Sequence, residues 1–135
     1  MNEKQLIKLA SEAKQNASVQ FSGFKVGAAL LTKTGKVYKG CNIEISTVGN
    51  SICAERNAVF KAISEGERDF EAIAVTADTR DYIYPCGICR QVLAEFCDDD
   101  FKIFCSNMNG EYELHLLKDL LPKTFRLRQY EEGAK

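Results

Sequence analysis

The sequence contains no long apolar stretch. Its longest apolar run, Val26 to Leu31, falls far short of the roughly 20 residues that a membrane-spanning helix needs. The first residues, Met1 to Lys4, also lack the charged-then-apolar pattern of a secretory signal. We therefore expect no membrane partner and a cytoplasmic location.

An excess of basic charge is also missing. The chain has 18 Lys and Arg residues against 19 Asp and Glu residues, and its net charge is −1. Proteins that clamp a nucleic-acid backbone usually have a basic face, because neutralising phosphates supplies much of their affinity. The charge balance thus argues against a nucleic-acid partner.

The chain has 135 residues, which predicts one compact domain over residues 1–135. Apolar spacing and turn residues predict the order α-β-β-α-β-α-β-β, and therefore a central sheet with helices on its faces. The predicted helices are 3–16, 53–65, 87–96 and a short one at 117–121, and the predicted strands are 25–31, 37–43, 70–77, 101–106 and 112–116. The charged segment 126–135 is expected to be a mobile tail.

Six cysteines in a chain without an export signal indicate reduced thiols, not a disulfide framework. Three of them fall in two clusters, Cys53-Ala54-Glu55 and, roughly thirty residues later, Pro85-Cys86-Gly87-Ile88-Cys89. Each cluster lies at the start of a predicted helix, where unpaired N–H groups and the helix dipole favour the thiolate that binds metal. The others, Cys41, Cys97 and Cys105, are expected to be small core residues.

The number of available ligands indicates the kind of metal site. Structural zinc sites close with four protein ligands, whereas catalytic sites keep one position for water. The single histidine, His115, lies in a predicted strand without a partner at ligand spacing, so the three thiolates leave a position open. Glu55 is too close to Cys53 to complete a relaxed tetrahedron, and its carboxylate is expected to face the water and transfer its protons.

The two clusters together match the pattern of zinc deaminases. That pattern is a metal ligand, any residue, a glutamate that is not a ligand, and later Pro-Cys-x-x-Cys. Cys-x-x-Cys alone is a weak signal, because redox motifs and structural zinc sites share it. Joined to Pro85 and to Cys53-Ala54-Glu55 at this distance, it indicates a catalytic metal site.

From about Phe21 to Phe125 the chain resembles the small, homotetrameric cytidine deaminases. The resemblance is carried by segments 24–31 (FKVGAALL), 40–44 (GCNIE), 53–56 (CAER), 85–92 (PCGICRQV) and 120–122 (LLP). It implies an α/β fold, a three-layer sandwich whose mixed five-stranded sheet has helices on both faces. It further implies one Zn²⁺ per subunit and hydrolysis of cytidine and 2′-deoxycytidine to uridine and 2′-deoxyuridine with release of ammonia, in pyrimidine salvage. Zinc-bound hydroxide and Glu55 would carry out that reaction.

The resemblance also implies roles for individual residues. Phe24 would pack on the pyrimidine ring, the Ala54 N–H would meet the base carbonyl, and Phe125 would reach the site of a neighbouring subunit. Asn42 and Glu44 would hydrogen-bond the 3′-hydroxyl side of the ribose, and their spacing on a predicted strand places both on one face.

Arg56 is expected to support the metal ligands. Zinc with three thiolates has a net charge of about −1, which makes a bound water harder to ionise. The two helix starts offset that charge, and the resemblance implies that Arg56 hydrogen-bonds the cysteine sulfurs. Arg90 is interpreted as an ordinary solvated helix residue.

One stretch departs from the family pattern, and other functions stay open. Segment 45–48 (ISTV) has Val48 where the family usually has an aromatic residue, which suggests a roomier pocket that accepts N4-substituted cytidines. The alternatives are an aminopyrimidine deaminase acting on modified cytidines or blasticidin S, a nucleic-acid editing deaminase, and a structural zinc or interaction module. Asn42 and Glu44 favour a ribose-reading enzyme among these.

Overall fold

The computed structural model describes residues 1–133 as a five-stranded sheet between two helical layers. The helices are α1 (Glu3–Lys14), α2 (Ala54–Ser64), α3 (Gly87–Phe96), α4 (Leu117–Leu120) and α5 (Leu127–Gly133), and the strands are β1 (Val26–Thr32), β2 (Val37–Cys41), β3 (Phe70–Ala77), β4 (Lys102–Ser106) and β5 (Tyr112–Leu116). A short 3₁₀ helix spans Val48–Asn50. Within the described residues no helix has the length and apolar content to cross a membrane.

The strand order is β2-β1-β3-β4-β5. Only β3 and β4 pair in parallel, and the other three pairs are antiparallel, so the sheet is mixed, as expected. The parallel pair requires a crossover connection, and the loop after β3 together with α3 supplies it. This crossover carries the second cysteine cluster.

Two apolar clusters make the sandwich three layers thick. One packs α1 against the sheet through Leu6, Ile7 and Ala10, and the other packs α2 and α3 against the opposite face. Strand β1 is buried along its whole length because successive side chains point to opposite faces and both faces are covered. This explains the continuous apolar run in its sequence.

Glycines let two helices approach the sheet closely. A Cβ on Gly40 would lie 2.5 Å from the Ala54 carbonyl oxygen and 2.5 Å from the Ala58 nitrogen. A Cβ on Gly27 would lie 1.9 Å from the Ala10 carbonyl oxygen. Both α1 and α2 therefore sit at a distance that only glycine permits, and the position of the α2 start depends on Gly40.

The structure corrects two expectations about particular residues. Strand β2 ends at Cys41, so Asn42 and Glu44 follow the strand and do not lie in it. Arg90 is not an ordinary solvated residue, because it is half-buried and donates hydrogen bonds to two backbone carbonyls.

The segment expected to be a mobile tail contains a structured anchor. Arg126 is only 8% exposed and bonds to the end of α3, and α5 follows it. The charge of this segment favours a mobile tail, but one of its arginines is buried. Residues 134–135 of the expected tail lie outside the described residues.

Candidate active site

The first cysteine cluster is positioned by backbone pairing. Ile52 and Ile43 exchange two backbone hydrogen bonds, of 2.9 and 3.0 Å, just before the helix. Cys53 then takes the N-cap position of α2 with an extended backbone, and Ala54 and Glu55 form the first turn. The thiol of Cys53 and the carboxylate of Glu55 thus project from one rigid helix start.

The second cluster occupies the start of α3. Cys86 is the N-cap and is exposed, whereas Cys89 is fully buried in the first turn. An N-cap residue and the residue three positions later lie on the same side of a helix start. The Cys86 and Cys89 sulfurs are accordingly 3.5 Å apart.

The two helix starts bring three thiols together. The Cys53 sulfur lies 3.8 Å from that of Cys86, and all three sulfurs lie within 4.8 Å of one another. Zinc with tetrahedral Zn–S bonds of about 2.3 Å would hold its sulfurs about 3.8 Å apart. The cluster therefore fits one zinc ion, and no other group of three potential ligands was found among residues 1–133.

Arg56 faces this cluster from the first turn of α2. Its Nη2 donates a hydrogen bond to the Cys53 sulfur at 3.4 Å. Its Nε is buried without a hydrogen-bond partner among the described residues. Hydrogen bonds from Cys89 and Arg56 hold the pKa of the Cys53 thiol well below its usual value, which favours the thiolate form that binds metal.

Glu55 is the acidic group at this site. Its side chain is almost entirely buried, with 5% of the residue exposed. Burial raises the pKa of its carboxyl to about 7, because desolvation disfavours the charged form. A carboxyl group with such a pKa can both accept and donate a proton near neutral pH.

A cavity of about 350 Å³ opens beside the thiols and Glu55. Its wall includes every residue that the sequence assigned to the base, the ribose or catalysis, except Phe125. The lining residues are Ser22, Phe24, Val26, Asn42, Glu44, Cys53, Ala54, Glu55, Ile83, Tyr84 and Cys86. Sequence reasoning missed Ser22, Val26, Ile83 and Tyr84, and the position of Ile83 and Tyr84 just before Pro85-Cys86 was the available signal.

Asn42 and Glu44 line the cavity although they lie beyond the end of β2. The Asn42 side chain accepts a hydrogen bond from the Val26 nitrogen at 2.9 Å and donates one to the Phe24 carbonyl at 2.8 Å. Glu44 accepts bonds from the Ser22 hydroxyl and from the backbone nitrogens of residues 21 and 22, and the Ser22 hydroxyl lowers its pKa most. Both side chains therefore also fix the loop that presents Phe24.

Phe125 is not among the residues that line the cavity of its own chain. The Gln91 side chain of α3 donates a hydrogen bond to the Phe125 carbonyl at 2.8 Å. The residue is 54% exposed, and its ring stacks on that of Tyr130 with 5.4 Å between centroids. The structure therefore holds the Phe125 backbone by a hydrogen bond while leaving about half of the residue exposed.

A sheet between two helical layers, with three converging thiols and a buried glutamate, is typical of zinc-dependent hydrolytic enzymes. Residues 1–105 match the family described as the cytidine and deoxycytidylate deaminase zinc-binding region. The chain belongs to this cytidine deaminase family.

Three comparisons show how close the relationship is. A cytidine deaminase of Halalkalibacterium halodurans is 50% identical over 125 residues, 93% of this chain and 95% of that protein. The crystal structure of a cytidine deaminase from Burkholderia pseudomallei superimposes with a TM-score of 0.90 at 43% identity, covering 93% of this chain and all of that one. A blasticidin-S deaminase of Bacillus cereus is more distant, at 32% identity over 105 residues, 72% of this chain and 74% of that protein.

Proposed function

We propose that this chain hydrolyses the exocyclic amine of cytidine and 2′-deoxycytidine, giving uridine or 2′-deoxyuridine and ammonia. The observation that carries the proposal is the shared cavity: Glu55 and two of the three thiols line it together with Phe24, Asn42 and Glu44. One part of the wall suits a hydrolytic reaction, and the other suits a flat base with a sugar attached.

The metal would be held by Cys53, Cys86 and Cys89. These three protein donors would leave one coordination position of a zinc ion open for water. A zinc ion there would polarise that water molecule and lower its pKa. Arg56 supports this arrangement by donating to the Cys53 sulfur and offsetting part of the thiolate charge.

Glu55 would carry the protons. Its carboxylate accepts a proton from the attacking water and delivers it to N3 of the base, while the water oxygen forms a bond to C4. Glu55 then takes the remaining hydroxyl proton and passes it to the amine, the C4–N bond breaks, and ammonia leaves. A pKa of about 7 suits a group that must both take up and release protons in one turnover.

The remaining residues would hold the nucleoside. Phe24 packs on the pyrimidine ring, and the Ala54 N–H, at the positive end of the α2 dipole, donates to the base carbonyl. Asn42 and Glu44 bind the 3′-hydroxyl side of the ribose. An enzyme specific for a drug does not need residues that bind a ribose. Asn42 and Glu44 therefore favour cytidine over blasticidin S as the substrate.

The whole chain would act as one domain within a homotetramer. Support for an oligomer comes from Phe125, whose backbone is anchored on α3 while the residue is 54% exposed and does not line the cavity of its own chain. We expect such a ring to complete the active site of a neighbouring subunit. Light scattering of the purified protein tests this, since a monomer would contradict the proposal.

We place the activity in the cytoplasm and in pyrimidine salvage. Cys41, Cys53, Cys86, Cys89, Cys97 and Cys105 are all free thiols in the structure. A reducing compartment keeps such a site competent for metal, since oxidation of its ligands would release zinc. Fractionation of the native cells tests the location, and protein found outside the cytoplasmic fraction would contradict it.

The direct test of the activity is ammonia release from cytidine and deoxycytidine by zinc-loaded protein, with and without a chelator. We expect turnover that a strong chelator removes and that added zinc restores. Blasticidin S and N4-methylcytidine serve as comparison substrates. Preference for either of these over cytidine, or no ammonia from any of them, would contradict the proposal.

A further inference from the structure

The loop between β3 and α3 ends at Cys86, a proposed zinc ligand, and has no regular secondary structure. Residues 78–86 contain neither helix nor strand, yet the exposed Cys86 lies within 4 Å of both other sulfurs at the end of this loop. A loop of this kind needs specific contacts to keep such a position. The contacts that the loop makes just before Cys86 are therefore informative.

Tyr84 ties the loop to the edge strand of the sheet. Its hydroxyl donates a hydrogen bond of 2.6 Å to Oε1 of Glu113 on β5. The same oxygen lies 3.0 Å from Nε2 of His115, whose ring meets the Tyr84 ring edge-on at 5.8 Å. Glu113 and His115 are two positions apart on one strand, so both side chains project from the same face and contact Tyr84.

Arg90 ties down the next residue of the loop. From the first turn of α3, its Nε donates a hydrogen bond of 2.7 Å to the Pro85 carbonyl, and its Nη1 donates one of 2.8 Å to the Leu120 carbonyl. The planar guanidinium can satisfy both carbonyls at once, which a lysine ammonium does less well. The two residues immediately before Cys86 are thus each bound by a side chain.

The other two thiols do not follow an irregular loop. Cys89 is enclosed within a helix, and Cys53 follows a pair of backbone hydrogen bonds. We propose that Tyr84, Glu113 and Arg90 are positioning residues for Cys86, and that they set how slowly the protein loses zinc. This inference rests on the proposed function only in taking Cys86 as a zinc ligand.

The experiment measures zinc release from the zinc-loaded full-length protein to a chromophoric chelator, without substrate. Tyr84→Phe removes only the hydroxyl, Glu113→Gln weakens its acceptor, and Arg90→Lys keeps the charge but not the planar fork. We expect zinc release to become about tenfold faster in each variant, the scale on which contacts behind metal ligands act. The double variant Tyr84→Phe/Glu113→Gln should release zinc no faster than the more affected single variant, because both remove one contact.

Tyr82→Phe is the matched control, since it removes a tyrosine hydroxyl two residues earlier in the same loop, and its release rate should stay at the wild-type value. Thermal unfolding of the metal-free variants separates positioning from a general loss of stability. Unchanged zinc release in Tyr84→Phe and Arg90→Lys would overturn the proposal, and so would equal acceleration by Tyr82→Phe. Zinc release that depends on Tyr84 in a protein that releases no ammonia would uphold this inference and contradict the proposed activity.

Discussion

The two helix starts that meet at the metal site are held in different ways. The α2 start is fixed by backbone: Ile52 pairs with Ile43, and Gly40 lets the helix lie directly against β2. Helix α3 follows an irregular loop and is held by side chains, with Arg90 at its start and Arg126 at its C-terminal end. The proposed roles also differ between the two helices. Helix α2 carries the proposed proton carrier, Glu55, and the α3 start carries two of the three proposed zinc ligands.

This division has a physical consequence. Backbone pairing fixes position with many small contacts that no single side-chain change removes, whereas a side-chain clamp depends on a few groups. Damage to the α2 start should therefore come through steric change or through Glu55 itself. Damage to the α3 start should come through the loss of individual polar side chains.

The largest effect should come from Glu55 on the α2 start. Glu55→Gln keeps the size of the side chain but cannot take up a proton, and we expect kcat to fall by about 10²- to 10⁴-fold. Zinc content, measured by atomic absorption, should stay at the wild-type value because Glu55 is not a ligand. Near-normal turnover would reject Glu55 as the proton carrier.

Removal of a ligand from the α3 start should lower the zinc content, which the Glu55 variant keeps. Cys86→Ala leaves two thiols, too few for a stable site, so we expect zinc content well below that of the wild type and activity lost with it. Cys97→Ala is the control, because this thiol is buried at the far end of α3. Full zinc occupancy in purified Cys86→Ala would remove Cys86 from the ligand set.

A steric change should damage the α2 start without touching its chemistry. Gly40→Ala places a methyl group 2.5 Å from the backbone of α2, and we expect it to lower the free energy of unfolding by about 1–3 kcal/mol. Because the displaced helix carries Cys53 and Glu55, kcat should fall as well. Urea unfolding and turnover assays measure both effects.

Gly49→Ala is the matched control for this steric prediction. A Cβ on Gly49 would meet no atom within 4 Å, so its unfolding free energy should stay close to that of the wild type. Equal stability of Gly40→Ala and Gly49→Ala would contradict the close packing of α2 on β2.

The smallest effect should come from the far end of α3. The Arg126 side chain donates to the Ala94 and Cys97 carbonyls at 2.7 and 3.2 Å and pairs with Asp99 at 3.0 Å. Arg126→Gln removes a cation from a helix C-terminus and leaves carbonyls poorly satisfied, which should cost about 1–2 kcal/mol of unfolding free energy.

Arg128→Gln is the control for this change, because Arg128 is exposed on α5. The expected result is a lower denaturation midpoint for Arg126→Gln alone. If both variants unfold at the wild-type midpoint, Arg126 does not anchor the end of α3.

Much of the fold was predictable because local signals agreed with it. The branched, apolar segment 70–77 is β3, and the buried run after Lys25 is β1. The end of β2 was missed because Asn42 leaves the strand to bond the backbone of residues 24 and 26, a contact between segments distant in sequence. Arg126 was missed for the same reason, since its acceptors are nearly thirty residues or more away.

For the site, sequence spacing identified the groups whose chemistry is distinctive, and the structure brings three thiols, Glu55 and Arg56 together. The roles of these groups stay predictions until they are measured. Spacing could not reveal that Tyr84 reaches Glu113 on another strand, because a tyrosine in a loop carries no signal of its partner. Side-chain clamps of this kind become visible only when the chain is folded.

The central claim is that three thiolates leave one zinc position free for a water that Glu55 controls. A crystal structure of the zinc-loaded protein tests it most directly. We predict zinc bound by the sulfurs of Cys53, Cys86 and Cys89 at about 2.3 Å, with a water as fourth ligand hydrogen-bonded to Glu55. A fourth protein donor on the metal, Glu55 included, would contradict the account.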